Sequence, residues 1–322
     1  HLLFKRQKFC PRLPSVATLV QPTGEMWEKI RVELNENQNT KEQDLATIKE
    51  WLRKQPHLPD EFDDRCLMSF LRGTSYSLEK CKRKLDMYFT MRTACPEFFT
   101  DRDITRPELD NVMAKVQGAP LPGLTPNGRR VTICRGLDKD IKMDVLNNVF
   151  KLALMIGDVR LMEELEGVGG DIYVLDAGVV SPTHLAQLSP TAISKFLVCV
   201  QEAYPVKLKE IHIVNTSPLI EKLINIIKPF LKEKIKNRIF IHSEISSLYE
   251  HIPQKMLPEE YGGSGASLVE INNAWKDKLA TYTTYFKDQE SLKAVEELRP
   301  GKPTNYDELF GIDGSFRQLS ID

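Results

Sequence analysis

Two glycine-rich strings are the part of this sequence that comes nearest to a catalytic or nucleotide-binding motif. Ser264 lies in the string GGSGA at residues 262–266, but the nucleophile elbow of α/β-hydrolases is GxSxG between a strand and a helix. Gly167, Gly169 and Gly170 precede a β-rich run, whereas a dinucleotide-binding fold needs its glycine-rich turn after the strand. The sequence therefore favours neither a serine hydrolase nor a nucleotide-binding enzyme, and we predict no catalytic residue.

The histidines and cysteines are spread along the chain without the short spacings that are typical of metal or redox sites. Six histidines include no HExxH motif, and His212 and His242 fall inside β-rich runs. Six cysteines include no CxxC pair, which favours free thiols in a reducing cytosol. We therefore predict no metal site, no cofactor and a cytoplasmic location.

The overall charge and hydropathy are those of an ordinary globular protein. The 322 residues carry 44 basic and 45 acidic side chains, for a net charge of −1, and 41% of the residues are apolar. This near-neutral total disfavours a protein that coats nucleic acid through bulk positive charge. No run approaches the roughly 18 apolar residues of a membrane span, so we expect a soluble protein of about two domains.

Residues 217–238 are the most informative segment. Pro229 should kink a helix here, because its ring removes a backbone donor. The apolar side chains would cover more than half of the circumference of that helix, far more than an ordinary core stripe; they are Leu219, Ile220, Leu223, Ile224, Ile226, Ile227, Phe230 and Leu231. Two interpretations stay open: a buried helix with a solvated end, or a mobile cover with one face on a lipid and the other at a membrane surface.

The charge around this segment is strongly asymmetric. Residues 205–240 contain eight basic and three acidic side chains, a local charge of +5 inside a neutral chain. Basic residues near an anionic leaflet contribute about 1 kcal/mol each, less after salt screening. A patch of this size suits reversible, peripheral membrane association better than permanent attachment.

Helix and strand patterns place the segment in an α/β domain that follows a helical one. Thr40 with Gln43 indicates a capping box that opens a helix at residues 40–54. A turn-rich stretch follows at residues 118–128. Beyond it, β-rich runs alternate with helical segments, which predicts a largely parallel sheet; the runs are 130–134, 171–175, 210–214 and 238–242.

The predicted fold class is therefore α/β, an all-helical N-terminal domain followed by a mostly parallel-sheet domain. The segments are residues 25–100 (helical domain), 101–265 (sheet domain) and 266–322 (C-terminal helix and tail). We expect the tail to pack back on the fold through Leu309, Phe310, Phe316 and Leu319. Residues 1–24 carry four basic side chains and no acid, and are interpreted as a transit peptide, an unprocessed leader or an added segment.

Several strings of the sequence, in this order, resemble the CRAL-TRIO lipid-transfer family. The strings are FLRG (70–73), CPE (95–97), PVKLK (205–209), IHIVN (211–215), IKPFL (227–231), KIKNR (234–238) and LPEEYGG (257–263). The resemblance covers residues 28–322 and is nearest to the α-tocopherol-transfer-like and cellular retinaldehyde-binding-like branches. The ending, with LFG (309–311) and GSFR (314–317), is similar to that of insect members.

The resemblance implies that the α/β domain encloses one hydrophobic ligand beneath a gate helix at residues 217–237. The implied pocket residues are Phe150, Ala153, Leu154, Gly157, Leu175, Leu188, Phe196, Cys199, Val200, Tyr204, Val206, Ile220, Leu223, Ile224 and Ile227. It also implies that a basic cleft binds a phosphoinositide head group at the membrane. The implied cleft residues are Arg72, Lys207, Lys209, Lys228, Lys234 and Arg238.

The nature of the ligand stays open. Ala153 and Gly157 stand where tocopherol-binding relatives have two serines, so a buried ligand hydroxyl would lack partners here. A tocopherol, retinoid, carotenoid, sterol-like or other isoprenoid molecule would suit such a pocket. We predict a non-enzymatic lipid carrier. The alternatives are a lipid-regulated scaffold, which would bind ligand without transferring it, and a hydrolase or isomerase acting on a hydrophobic substrate.

Overall fold

The N-terminal part of the structure consists of six helices, in a computed structural model that describes residues 16–311. They are α1 (Gly24–Glu33), α2 (Lys41–Arg53), α3 (Asp64–Gly73), α4 (Leu78–Ala94), α5 (Pro96–Phe99) and α6 (Pro107–Lys115). Leu45, Ile48 and Leu52 recur at intervals of three and four, and they bury the inner face of α2. Asp63 caps α3, where its side chain accepts a backbone hydrogen bond. The predicted helical N-terminal region is confirmed.

The predicted capping box is wrong, although the helix that it should open is present as α2. Thr40 is the N-cap residue, but its side chain accepts no capping hydrogen bond. The reason is its backbone, with φ −115° and ψ −14°, which is already near the helical region. An N-cap side chain reaches the first-turn N–H groups from an extended backbone.

Five strands form one mostly parallel sheet, which confirms the predicted fold class. The strands are β1 (Val116–Leu124), β2 (Arg129–Gly136), β3 (Gly170–Asp176), β4 (Leu208–Val214) and β5 (Ile239–Ile241), and they lie in this order across the sheet. β1 pairs antiparallel with β2, and the other pairs are parallel. The last four strands correspond to the four predicted runs.

The edge strand β1 corrects the sequence analysis, which assigned residues 118–128 to turns. Pro120 and Pro122 lie within β1, and the register shifts between Pro120 and Leu124. Proline cannot donate to a strand ladder, so a proline-rich strand is tolerated at the edge of a sheet. Its outer side is partly covered, because the backbone N–H of Val20 donates to the carbonyl of Pro122 at 2.9 Å.

Helices connect the strands and follow the sheet. α7 (Leu146–Glu163) links β2 to β3, and α8 (Pro182–Gln187), α9 (Pro190–Val198) and a π-helical turn (Cys199–Ala203) link β3 to β4. Ser189 caps α9, and proline occupies its first helical position. Between β4 and β5 lie α10 (Leu219–Ile227) and α11 (Glu233–Lys236), and after β5 come α12 (Leu268–Ala280), α13 (Thr283–Gln289) and α14 (Tyr306–Phe310).

Of the four tail residues expected to pack on the fold, two are described and both make contacts. Phe310 is buried, and its carbonyl accepts a hydrogen bond from the hydroxyl of Ser194 at 2.8 Å. Leu309 is partly buried and packs against the helical core. Phe316 and Leu319 lie outside the described residues, as do residues 1–15 of the predicted leader.

A fully buried carboxylate joins the helical part to the α/β part. Asp158 on α7 accepts hydrogen bonds at 2.8 Å from both Tyr88 of α4 and Tyr204, which follows the π-helical turn. Arg92 and Arg102 donate to its other oxygen at 2.7 and 2.5 Å. Burial alone would raise the pKa of Asp158, but the two arginines outweigh this effect and lower it.

We predict that Asp158→Asn will lower the free energy of unfolding by about 3–5 kcal/mol, because it leaves two buried guanidinium groups without their counter-charge. Urea unfolding followed by circular dichroism measures this loss. The matched control is Asp277→Asn, which changes an exposed carboxylate on α12 and should alter stability by less than about 0.5 kcal/mol. Equal stability of the two variants would contradict the assigned role of Asp158.

Candidate functional site

A cavity of about 1390 Å³ lies between one face of the sheet and the helices that connect its strands. β3 and β4 turn Tyr173, Leu175, Ile211 and Ile213 toward it, as alternate residues of a strand share a face. The residues between them on β3, such as Val174, pack into the core on the other face. The sheet therefore forms one wall of the cavity.

Most of the predicted pocket residues line this cavity. They are Phe150, Ala153, Leu154, Gly157, Leu175, Leu188, Phe196, Val200, Tyr204, Val206, Leu223, Ile224 and Ile227. Cys199 and Ile220 lie outside the lining. Cys199 is fully buried in the core that includes the helical part, and Ile220 packs in a small cluster with Ala177 and Ile213 at the base of α10.

The second wall of the cavity is α7, and its shape follows from its residue sizes. Ala153 lines the cavity and is exposed there. Its small methyl group leaves space for a ligand beside α7. A Cβ atom on Gly157 would lie 3.0 Å from the ring of Tyr204, so a serine there would press on that ring. Phe150 stacks on Phe196 with ring centroids 4.1 Å apart, which joins α7 to α9.

Residues 217–237, the segment predicted to act as a gate helix, fold into three short elements. They are α10 (Leu219–Ile227), a 3-10 turn (Lys228–Phe230) and α11 (Glu233–Lys236). The kink predicted at Pro229 is instead a break: α10 ends at Ile227, a 3-10 turn contains Pro229, and extended Leu231 separates this turn from α11. Gln201 stabilises this break. Its side-chain amide donates to the carbonyl of Phe230 and accepts from the backbone N–H of Lys232, both at 2.9 Å.

α10 covers the cavity but is itself lightly packed. Leu223, Ile224 and Ile227 face the cavity, while Ile220 is the one residue of this fully described helix that is buried. The apolar cluster beneath α10 is small and separate from the two main cores. Few buried contacts imply a low free energy of local opening.

A group of basic side chains borders the cavity and is called the basic rim. Five of the six predicted cleft residues border the cavity: Arg72, Lys207, Lys209, Lys234 and Arg238. Lys234 is exposed and has no ion-pair partner among residues 16–311. Lys228 is likewise exposed but lies outside the cavity border.

The other rim residues have partners within the protein. Lys207 donates to the hydroxyl of Ser75, and Arg238 donates to the carbonyl of Leu208. Lys209 forms an ion pair with Glu33 at 2.7 Å. A ligand at these positions would have to share or displace these contacts.

Arg72, the remaining predicted cleft residue, borders the cavity but is buried in a structural ion pair. Its Nε lies 2.8 Å from Glu36, which also pairs with Arg31 at 2.8 Å. Burial alone would raise the pKa of Glu36, but Arg72 and Arg31 outweigh that effect and lower it to about 2. The guanidinium of Arg72 thus anchors the turn after α1.

Other basic residues on the cavity border were missed as site residues, among them Lys80, Lys84 and Lys232. Lys80 is exposed, and the lysines at 80, 82 and 84 in α4 were the available signal. Lys84 donates to the carbonyls of Gln201 and Tyr204, and burial lowers its pKa to about 8. The sequence could not show that α4 approaches the rim, because the contact spans more than 100 residues.

None of the helices within residues 16–311 is long and apolar enough to cross a lipid bilayer.

Residues 37–109 match the family model described as "Pinta-like, UBA domain", and residues 115–263 match the model described as "CRAL/TRIO domain". The first model covers most of the helical part, and the second runs from the start of the sheet to the turn after Tyr261.

Curated relatives and a solved structure extend these matches. "Alpha-tocopherol transfer protein-like" from Homo sapiens is 30% identical over 250 residues, which are 76% of this chain and 72% of that protein. "Clavesin-2" from Homo sapiens is 27% identical over 241 residues, 74% of each chain. The structure described as "Crystal structure of Sfh5" aligns with 84% of this chain and 100% of its own, at 16% identity and a TM-score of 0.46. By its sequence relatives, the chain belongs to the CRAL/TRIO domain family.

Proposed function

We propose that this protein binds one hydrophobic molecule in the cavity beneath α10 and transfers it between membranes. The observation that carries the proposal is the large apolar cavity, which is covered by a helix with few buried contacts of its own. Burial of each ligand CH₂ contributes roughly 0.8 kcal/mol, so a long hydrocarbon can bind tightly with few polar contacts. The proposed role is carriage, without a catalytic step.

The lining favours an isoprenoid-type ligand such as a tocopherol, retinoid or carotenoid. The relatives named for tocopherol transfer support this class. Ala153 and Gly157 offer no hydroxyl group, so this part of the cavity suits hydrocarbon or a ring. Polar groups that border the cavity, among them Tyr173 and Arg160, are the candidates to meet an oxygen at one end of the ligand.

The basic rim supports release of the ligand at an anionic membrane, with a phosphoinositide head group as the proposed contact. Lys80 and Lys234 are exposed at the same rim that α10 and α11 border. A membrane surface shifts the cover toward an open state only if it binds that state better than the closed one. Contact of these lysines with head groups, as α10 lifts into the interface, would provide such a difference.

Ala153→Trp should lower the affinity for a bound lipid, because the indole would occupy cavity space next to α7. Loss of burial for two CH₂ groups costs about 1.6 kcal/mol, more than a tenfold change in Kd. Titration of the delipidated protein with a fluorescent tocopherol or retinoid measures it.

The matched control for this variant is Ala280→Trp, at an exposed position at the end of α12 and outside the cavity lining. It should bind the probe like the unaltered chain. Equal affinity in both tryptophan variants would contradict this cavity as the lipid site. Normal binding without exchange of the probe between vesicles would favour the scaffold alternative.

Lys80→Ala with Lys234→Ala should weaken binding to anionic vesicles by roughly 30-fold at low salt, because each lysine contributes about 1 kcal/mol near an anionic leaflet. Sedimentation with phosphoinositide vesicles, and with phosphatidylserine vesicles of equal charge, measures the effect and separates head-group recognition from bulk charge. The control, Lys255→Ala with Lys302→Ala, removes two exposed lysines away from the cavity rim. A similar loss in both double variants would rule out the rim as the docking surface.

A further inference from the structure

Three histidines and a glutamate gather on the face of the sheet that points away from the lipid cavity. β4 turns its odd-numbered residues, such as Ile211, toward the cavity, so Glu210 and His212 lie on the opposite face. His242 directly follows β5, and His251 follows a 3-10 turn. The sequence analysis predicted no metal site because these residues are separated by up to 41 positions, far beyond any linear motif.

The side-chain atoms of this cluster have the spacing of metal ligands. Oε2 of Glu210 lies 2.8 Å from Nε2 of His212 and 3.3 Å from Nδ1 of His251. All three atoms lie within 4.8 Å of one another. Ligand atoms at about 2.1 Å from a tetrahedral zinc ion are roughly 3.4 Å apart, so small side-chain adjustments suffice to hold an ion.

The hydrogen bonds behind His212 assign the proton on its ring. Nδ1 of His212 lies 2.8 Å from Nε2 of His242, whose Nδ1 lies 2.6 Å from the hydroxyl of Ser247. That hydroxyl donates its single proton to the carbonyl of Glu244 at 2.8 Å, so it accepts from Nδ1 of His242. In the neutral ring, Nε2 of His242 is then the acceptor, and Nδ1 of His212 is the donor.

This assignment leaves the Nε2 lone pair of His212 facing a carboxylate oxygen. Two lone pairs on atoms 2.8 Å apart repel each other unless a proton or a metal ion lies between the atoms. Nδ1 of His251 is directed at the same oxygen of Glu210. Three potential ligand atoms therefore meet in one small volume, where a single cation could bind all of them.

We propose that Glu210, His212 and His251 form a binding site for a zinc-type divalent cation, with His242 as the partner that orients His212. Two imidazoles and one carboxylate are a donor set that Zn²⁺ takes, with water at the fourth position. A ligating histidine commonly donates its second N–H to a neighbouring acceptor, which is the bond from His212 to His242.

The cluster combines one buried side chain with two partly exposed ones, so an ion could enter from solvent and bind a residue that is held in place. The side chain of His212 is 0% exposed, while those of Glu210 and His251 are 31% and 25% exposed. A bound ion would link β4 to the segment that carries His251. Because Ile211 and Ile213 of the same strand line the cavity, the ion would stabilise the strand that forms the cavity wall.

The experiment is calorimetric titration of the full, untagged and chelator-treated chain with ZnCl₂. We expect one Zn²⁺ per chain. Glu210→Gln and His251→Gln should each weaken binding by at least about 100-fold, because even outer partners of metal ligands are worth 10- to 100-fold. Both residues are partly exposed, so both variants should fold, which circular dichroism in EDTA verifies.

The control is His184→Gln, which removes a histidine on α8 outside the cluster and should leave the affinity unchanged. A second readout is the unfolding temperature, which Zn²⁺ should raise in the unaltered chain and in the control but not in the two ligand variants. No Zn²⁺ uptake, or the same affinity in all variants, overturns the proposal. Either result leaves lipid binding by the cavity untouched.

Discussion

The buried carboxylate of Asp158 is the interaction on which the rest of the structure depends. A buried charge is tolerated only when it is paired and fully hydrogen bonded, so its four donors must be in place together. Tyr88 and Arg92 come from α4, and Arg102 and Tyr204 come from the chain before β1 and before β4. The faces of both arginines are covered by aromatic rings. This single point fixes α4, α7 and the entry to β4 relative to one another.

The same constraint fixes one side of the cavity, whereas the opposite side, formed by α10, has few buried contacts. Tyr204, held by Asp158, packs against Gly157, so the wall formed by α7 has little room to shift. Across the cavity, α10 buries Ile220 against a small cluster and is fastened near its end by Gln201. Under the proposed function, opening of the cavity is therefore expected at α10, beside the basic rim.

Sequence patterns were sufficient for the features that depend on local chemistry. The parallel strands, an interruption of the helix at Pro229 and the placement of most predicted pocket residues at the cavity follow from hydrophobic runs, proline geometry and family strings. The remainder depends on which distant segments meet. β1 was hidden by its prolines, the pairing of Arg72 with Glu36 depends on how α1 and α3 pack, and the cluster around His212 combines residues from β4, β5 and a later turn.

Native mass spectrometry tests the central claim, that the cavity beneath α10 carries one lipid, most directly. The delipidated protein would be incubated with liposomes that contain tocopherol, retinoid and carotenoid, separated from them and weighed intact, and its lipid then identified by organic extraction. The account predicts a single population shifted by the mass of one such molecule per chain. A protein that keeps the mass of its polypeptide alone after this exposure would contradict the account.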